Sequence, residues 1–470
     1  MNKKVSNILP IFKNNESKTF KFTNEQYYNL ELEYNRYNIY NSFNKQIDKI
    51  LHFTDSLEYN TQNTNNNRKK YENKNILDRF ILECINHGIT PYIENSNFIK
   101  QKEEKNEINY NTLSQYVFFN QILDNVERLH QTSYYKKMIS EYNEKKIRLT
   151  SEKILEIDKA IIDSNKIFFN QCQINLKYNQ NISNNNNNNN NINNNNNNNQ
   201  NIHPIHPIHP IHPIFKGISC SITLQNNDYF IIRYRDYYKI ISINRYYKLI
   251  KNYDKPYPYD IVRMLLRYSI FDMSSQQWSI GDNLYEDISE IFNISFEMFA
   301  SPLNFNMNMF CSIFYDTDHI FGSVGSFYSL DVEKLLIQNI KGVFFNPPYL
   351  PLLMNNCTIQ CLNILDKMNK LGVDFTIVSF LPNWDDADYI KSFIGSKYTV
   401  DSRIVNKGNY ILHEKDKGKL INGTFDLLVI VLNSMKVSWN NEKKSEISEG
   451  IDKIVEIMKT ESREAFMKRR

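Results

Sequence analysis

GVFFNPPYLP (342–351) reads as a buried strand that stops at a rigid turn. Neither of two adjacent prolines has an N–H to give to a sheet ladder, so the turn ends the strand. A helical pattern follows to about residue 370. Other apolar runs of strand length flank it: ISFEMFAS (294–301), VDFTIVSFLP (373–382) and FDLLVIVLN (425–433). Strands separated by helices predict a mostly parallel α/β sheet. Ligands of such sheets lie beyond the carboxyl ends of the strands.

Upstream, KGISCSITL (216–224), DYFIIRYR (228–235) and YYKIISI (237–243) alternate or run β-branched and aromatic. Asn226-Asn227-Asp228 falls between the first two, the pattern of a small antiparallel unit. IVRMLLRYSIF (261–271) returns to a helical period. Arg263 and Arg267 lie one turn apart on it, a spacing expected of a solvated face and, as the alternative, of phosphate contact. Further upstream, LDRFILECI (77–85), YVFFNQILDNVERLH (116–130) and SEKILEIDKAIIDSNKIF (151–168) have helical periodicity, the last starting at Ser151. Residues 59–74 are polar and of low complexity. Residues 184–200 are nearly pure asparagine, and 203–213 repeat His-Pro-Ile. A polar tract has no apolar face to bury, so 176–214 is expected to be a disordered linker, and His203, His206, His209 and His212 part of a solvated repeat. The expected organisation is a mainly helical domain (1–175), this linker (176–214), a small β/α region (215–293), the α/β core (294–440) and a charged C-terminal helix (441–470).

The chain of 470 residues leaves room for two to four domains. It contains no run of 18 apolar residues, which excludes a transmembrane helix, and its N-terminus has no apolar segment of a secretory signal. Six scattered cysteines form no CxxC pair, which argues against a disulfide framework and a structural metal. Lys+Arg 56 against Asp+Glu 52 gives a net charge of +4, too mild to establish a nucleic-acid partner. Only 12 glycines make glycine-rich phosphate loops scarce.

The turn carries chemistry. An exocyclic amine on a base is conjugated, a poor nucleophile, and offers two donors. Asn346 Oδ1 and the carbonyl of Pro347 can accept both hydrogens and aim the nitrogen lone pair at an electrophile. Pro348 stiffens the turn, and Tyr349 can stack on the base, worth about 1–3 kcal/mol. No acid, metal or covalent nucleophile is needed if the electrophile is a sulfonium methyl, because S-adenosylmethionine then carries the leaving group. The reading is N-methylation of a base extruded from its stack. The alternative is a proline-rich strand-to-helix turn with no catalytic role.

SFEMFASPLN (295–304), FCSIFYDTDHIFGSVGSF (310–327), FFNPPY (344–349) and SFLPNW (379–384) occur in this order. Together they resemble the methyltransferase core of the phosphorylated-CTD-interacting-factor family, over about 215–440. The resemblance implies a Rossmann-like S-adenosylmethionine-dependent core preceded by a small β-rich region and a helical domain. It also implies methyl transfer to N6 of the adenosine beside the 7-methylguanosine cap of mRNA, in the nucleus. Asn346, Pro347, Pro348 and Tyr349 would then meet cofactor and base. Ser301, Pro302 and Asn304 would form the cofactor loop, which has no GxGxG. Asp316 or Asp318 would hold ribose hydroxyls, and Phe321 would pack on the cofactor adenine beside Gly322 and Ser323. An Asx turn or helix cap is the equal alternative for the two acids. Trp384, Asp385, Asp386, Ala387 and Asp388 match the segment that contacts substrate, where an aromatic face suits a cationic methylated guanine. Arg79 would match an RNA-contacting arginine or be a surface helix residue.

This sequence departs from the family after the turn, where Leu350-Pro351 replaces an acidic residue, and at Tyr349, where animal members have phenylalanine. No WW pattern is legible, which points to capped mRNA and away from the RNA polymerase II tail as partner. Two other functions compete: an NPPY adenine N6-methyltransferase of DNA or internal RNA sites, and a silent RNA-binding adaptor.

Overall fold

The structure, a computed structural model, describes residues 13–52, 133–144, 149–164, 167, 218–251, 258–269, 277–384 and 387–468. Arg79, Asp385, Asp386, the 59–74 stretch, the 77–85 and 116–130 periodic segments and the whole of 176–214 lie outside these residues.

The chain begins with β1 (Ser17–Phe20) and the long helix α1 (Asn24–His52). Thr23 and Gln26 form a capping box at its start: Thr23 N–H donates to Gln26 Oε1 at 3.0 Å, and Gln26 N–H to Thr23 Oγ1 at 3.2 Å. α2 (Ser133–Glu144) and a helical stretch over 151–164 follow. The stretch starts at Ser151, as expected. Thr150 Oγ1 accepts from Lys153 N–H, so Thr150 caps and Ser151 is the first helical residue.

β2 (Cys220–Gln225), β3 (Tyr229–Tyr234) and β4 (Tyr237–Ser242) form the expected antiparallel unit. Asn226 and Asn227 both sit at φ 55°, left-handed at the centre of the turn in which Asp228 N–H donates to Gln225 O at 3.1 Å. β1 adds to the outer edge of β2, giving the order β1-β2-β3-β4. The first block and the residues after 218 therefore share one sheet.

α3 (Ile243–Ile250) is capped by Ser242, and α4 (Pro258–Tyr268) packs on α1. The expected solvated face of α4 is a correction. Arg267 is fully buried, and its guanidinium grips Glu33 of α1 (Nε–Oε2 2.8 Å, Nη2–Oε1 2.5 Å) and Asp316 (Nη1–Oδ1 3.1 Å, Nη2–Oδ2 3.0 Å). Arg263 Nη2 donates to Asp316 Oδ2 at 2.7 Å, and buried Arg36 also pairs with Glu33. Burial raises the Glu33 pKa, but Arg267, Arg36 and Arg263 outweigh it and hold the carboxyl below its usual value. A helical period marks a buried face but not which long side chain finds a buried partner.

β5 (Trp278–Ser279), α5 (Asp282–Phe292), β6 (Phe296–Glu297), β7 (Met309–Phe310), the single turn α6 (Tyr315–Asp318), α7 (Val332–Ile337) and β8 (Gly342–Phe345) come next. They are followed by α8 (Pro351–Lys370), β9 (Thr376–Pro382), α9 (Asp388–Ile394), β10 (Thr399–Val405), β11 (Ile411–Glu414), β12 (Lys419–Asn422), β13 (Leu427–Asn433) and α10 (Asn441–Lys468).

The central sheet has the order β10-β13-β9-β8-β6-β7. β7, β6, β8 and β9 are parallel, and β13 runs antiparallel to both its neighbours, β9 and β10. The fold is therefore mixed α/β, with β13 alone reversed. β8, β9 and β13 are buried at every position, which explains their mostly apolar sequences. The 294–301 run yields only the two strand residues Phe296 and Glu297, because its remainder bends into the loop that builds the site.

A third sheet, β12-β11-β5, ties residue 278 to the core: Trp278 pairs with Glu414 and Ser279 with His413. The C-terminal helix packs along this side. Its Ile451, Ile454 and Met458 are buried with Phe292, Val405 and Val431. Gly450 permits this close approach, since a Cβ there would lie 2.6 Å from Ile291 Cγ2. Among the described residues no helix is long and apolar enough to cross a membrane.

Candidate active site

The parallel strands β6, β8 and β9 deliver three loops to one end of the sheet. The loop after β6 carries Ser301 and Asn304, the turn after β8 carries Asn346 to Tyr349, and Trp384 follows β9. Together they line one cavity of about 310 Å3.

The β8 turn is tightly made. Leu350 N–H donates to Pro348 O at 2.7 Å, and Pro351 takes the first position of α8, where a missing N–H costs nothing. Tyr349 is half-buried. Its hydroxyl donates to Asn346 Oδ1 at 2.9 Å, and its ring meets Phe425 edge-to-face at 5.4 Å. Burial pushes the Tyr349 phenol pKa up, so it stays a neutral donor. That hydrogen bond fixes the amide with Oδ1 toward Tyr349, and the second lone pair of the oxygen is left for another donor.

The β6 loop is held by its own side chains. Ser301 N–H donates to Asn304 Oδ1 at 2.7 Å, Leu303 N–H to Ser301 Oγ at 3.1 Å, and Ser301 Oγ to Gln277 Oε1 at 2.5 Å. Pro302 is buried and outside the cavity lining. Among the described residues Glu297 is the one carboxylate of the lining. It is buried and accepts from Asn306 N–H at 2.9 Å and Met307 N–H at 3.3 Å, so it anchors the loop.

Trp384 reaches the cavity and packs edge-to-face with Tyr389 at 6.4 Å. Ala387 and Asp388 do not line it. Ala387 precedes α9, and the exposed Asp388 lies in that helix's first turn, where a carboxylate suits the dipole.

Asp316, Asp318, Phe321, Gly322 and Ser323 are outside the lining as well. Asp316 is engaged by Arg263 and Arg267. Asp318 is fully buried, accepting from Tyr268 Oη at 2.7 Å and Thr317 Oγ1 at 2.8 Å, and burial pushes its pKa up to about 7. Phe321 is a core residue. Gly322, at φ 107°, passes so close to Asn308 O that a Cβ would sit 2.2 Å from it. Ser323 Oγ meets Ser312 Oγ at 2.7 Å. This turn stands behind the wall: Tyr268 and Ser312, which its residues hold, do line the cavity.

Sequence reasoning missed Gln277, Trp278, Tyr285 and Phe425. Gln277 and Trp278 arrive with β5 of the third sheet, Tyr285 from α5 and Phe425 from the loop before β13, and nothing in their local patterns marks them. Phe327 and Tyr328 also line it, at the end of the 310–327 segment. Among the described residues no group of three or more His, Cys, Asp or Glu side chains could hold a metal ion.

Residues 236–414 match the family model described as the phosphorylated CTD interacting factor 1 WW domain. The family resemblance therefore holds across this stretch. The matched residues contain β4 to β11 and the cavity's three loops, and stop short of β13. Two proteins, from Mus musculus and Homo sapiens, are each 31% identical to this chain over 123 residues. Both are named mRNA (2'-O-methyladenosine-N(6)-)-methyltransferase. The match covers 26% of this chain and 16% of each relative's length.

Proposed function

We propose that this protein is an S-adenosylmethionine-dependent RNA adenine N6-methyltransferase acting on the adenosine next to the 7-methylguanosine cap. The observation that carries the reading is Asn346. Its amide oxygen is fixed by Tyr349 in a cavity shared with the β6 loop and Trp384. The order of parallel strands with one reversed strand, β13, supports a Rossmann-like methyltransferase core. The names of the relatives support the base and the polymer.

The cavity suits the cofactor chemically: Phe299 and Phe327 offer apolar faces to a nucleoside, and Ser301, Asn304 and Ser312 offer polar groups. S-adenosylmethionine, when bound, supplies the methyl group and its own leaving group. The protein's part is positional. Asn346 Oδ1 and Pro347 O accept the two amine hydrogens, which favours the sp³ character the nitrogen gains as the methyl bond forms. The Tyr349 ring offers a stacking face. The surplus proton leaves to water, so no side chain is assigned as base. Trp384 offers an aromatic face to the cationic cap guanine.

Both tryptophans of the family-matched stretch, Trp278 and Trp384, line this cavity. The proposal therefore extends to capped mRNA and not to the RNA polymerase II tail. A nuclear location goes with that substrate.

The test is transfer of labelled methyl to two RNAs that begin with adenosine, one capped and one not. Label on N6 of the capped RNA alone is expected. Equal labelling of both would replace cap specificity with a general adenine methyltransferase. No label, with no binding of S-adenosylhomocysteine by calorimetry, would overturn the enzyme and favour a silent adaptor.

A further inference from the structure

Lys415 follows β11 directly and is buried. An ammonium taken out of water is tolerated only when it is paired. Its Nζ donates to Asp282 Oδ1 at 2.5 Å, in the first turn of α5, and to Asn306 Oδ1, in the segment after β6. The same Nζ lies 5.1 Å from the centroid of the Tyr285 ring, which lines the cavity. The backbone of Lys415 is fixed from another side. Ser242 Oγ donates to Lys415 O at 2.8 Å, and Ser242 N–H to Asp416 O at 2.7 Å.

An ammonium donates and never accepts, so Asn306 turns Oδ1 toward Lys415 and Nδ2 away from it. Nδ2 then lies 3.3 Å from each of Asn304 O, Ser279 Oγ and Glu297 Oε1, and all three of those residues line the cavity. Asn304 Oδ1 in turn accepts from Ser301 N–H. The contacts run from Lys415 through one amide to the loop that offers polar groups to the cofactor. We propose that Lys415 is a positioning residue, which fixes the Asn306 amide and so holds the β6 loop in the geometry that binds S-adenosylmethionine. The inference rests on the reading that this loop meets the cofactor. The groups around Lys415 make the hold sensitive to pH. Burial lowers the Lys415 pKa to about 7, Arg245 and Lys248 of α3 push the same way, and Asp282 opposes them. Burial and Lys415 lower the pKa of His413 on β11 to about 4, so it stays neutral, and Glu461 of α10 also faces the ammonium.

Lys415→Met keeps the apolar stem and deletes the donor. Calorimetry with S-adenosylhomocysteine reads the loop. At pH 6 the variant should bind about tenfold more weakly than wild type, while kcat at saturating cofactor stays within about threefold, because the Asn346 turn is untouched. Wild-type affinity should fall as pH rises through about 7 and approach that of the variant. The difference between the two proteins is the Lys415 step, since Asp318, which titrates in the same range, is present in both. Asp282→Asn removes a largely exposed carboxylate that favours the ammonium, so the step should move to lower pH. A lysine that only stabilises the fold would lower the melting temperature of Lys415→Met and leave affinity and its pH step unchanged. That outcome, or a step that stays in place in Asp282→Asn, overturns the proposal. If Lys415→Met does not fold, the Asp282→Asn step decides. If wild type binds S-adenosylhomocysteine and the variants match it, this inference falls alone. If wild type does not bind it, the cofactor reading falls and this inference with it.

Discussion

Two turns of this molecule look alike in sequence and behave differently in space. The turn after β8 holds Asn346, two prolines and Tyr349. The turn after β7 holds Asp316, Asp318, Phe321 and Gly322. Both are rich in residues that could meet a ligand, and both follow short parallel strands. The β8 turn presents its polar atoms to the cavity. The β7 turn directs its carboxylates backward, Asp316 to two arginines and Asp318 to Tyr268. Residue type thus identifies groups able to do chemistry, while the partners behind them determine whether they face a ligand or the fold.

Asn346→Ala should widen this contrast most. Methyl transfer is expected to fall by about a thousandfold or more, with the melting temperature unchanged. Activity within tenfold of wild type would mean that the β8 turn is as structural as the β7 turn. Arg267→Met tests the other side. It leaves Glu33 and Asp316 buried and short of a partner, which should cost about 3–5 kcal/mol in urea denaturation. A loss below 1 kcal/mol would show that the arginine is not what holds α1, α4 and α6 together.

Asp318 gives a pH signature. Its folded pKa of about 7 lies above its ordinary 3.8. An acid with a raised folded pKa stabilises the fold fully below its unfolded pKa, and that contribution is lost as pH rises through the folded value. Wild type should therefore lose stability relative to Asp318→Asn between about pH 4 and 7, on the order of 4 kcal/mol. Parallel stability curves for the two proteins would show that Asp318 is not held protonated. Tyr349→Phe should have the smallest effect. It keeps the ring and removes one neutral hydrogen bond to Asn346, worth about 1 kcal/mol, or about fivefold in kcat. A hundredfold loss in kcat would make the hydroxyl, and not the ring, the main contribution of Tyr349.

The strands β8, β9 and β13 were legible because full burial favours a nearly continuous apolar run. Asn346 was legible because two prolines can only end such a strand. The hairpin was legible through Asn226-Asn227-Asp228 standing between two strand-like runs. Other features were not. The pairing of Arg267 with Glu33 joins residues far apart in the chain, and a helical period reports a face without naming its partner. The sharing of one sheet by β1 and β2 depends on an edge left open by the hairpin, and edges carry no sequence mark. Gln277 and Trp278 reach the cavity through a two-residue strand, too short to leave a period.

The sequence by itself determined the apolar strands, the turn that interrupts one of them and the chemistry its amide can perform. These follow from local rules of burial, proline geometry and donor–acceptor type. Tertiary structure alone decided which of the two polar turns faces the cavity, which arginines became buried pillars, and that a tryptophan from a distant strand lines the same cavity as Asn346. Those outcomes depend on contacts between elements, which no local pattern encodes.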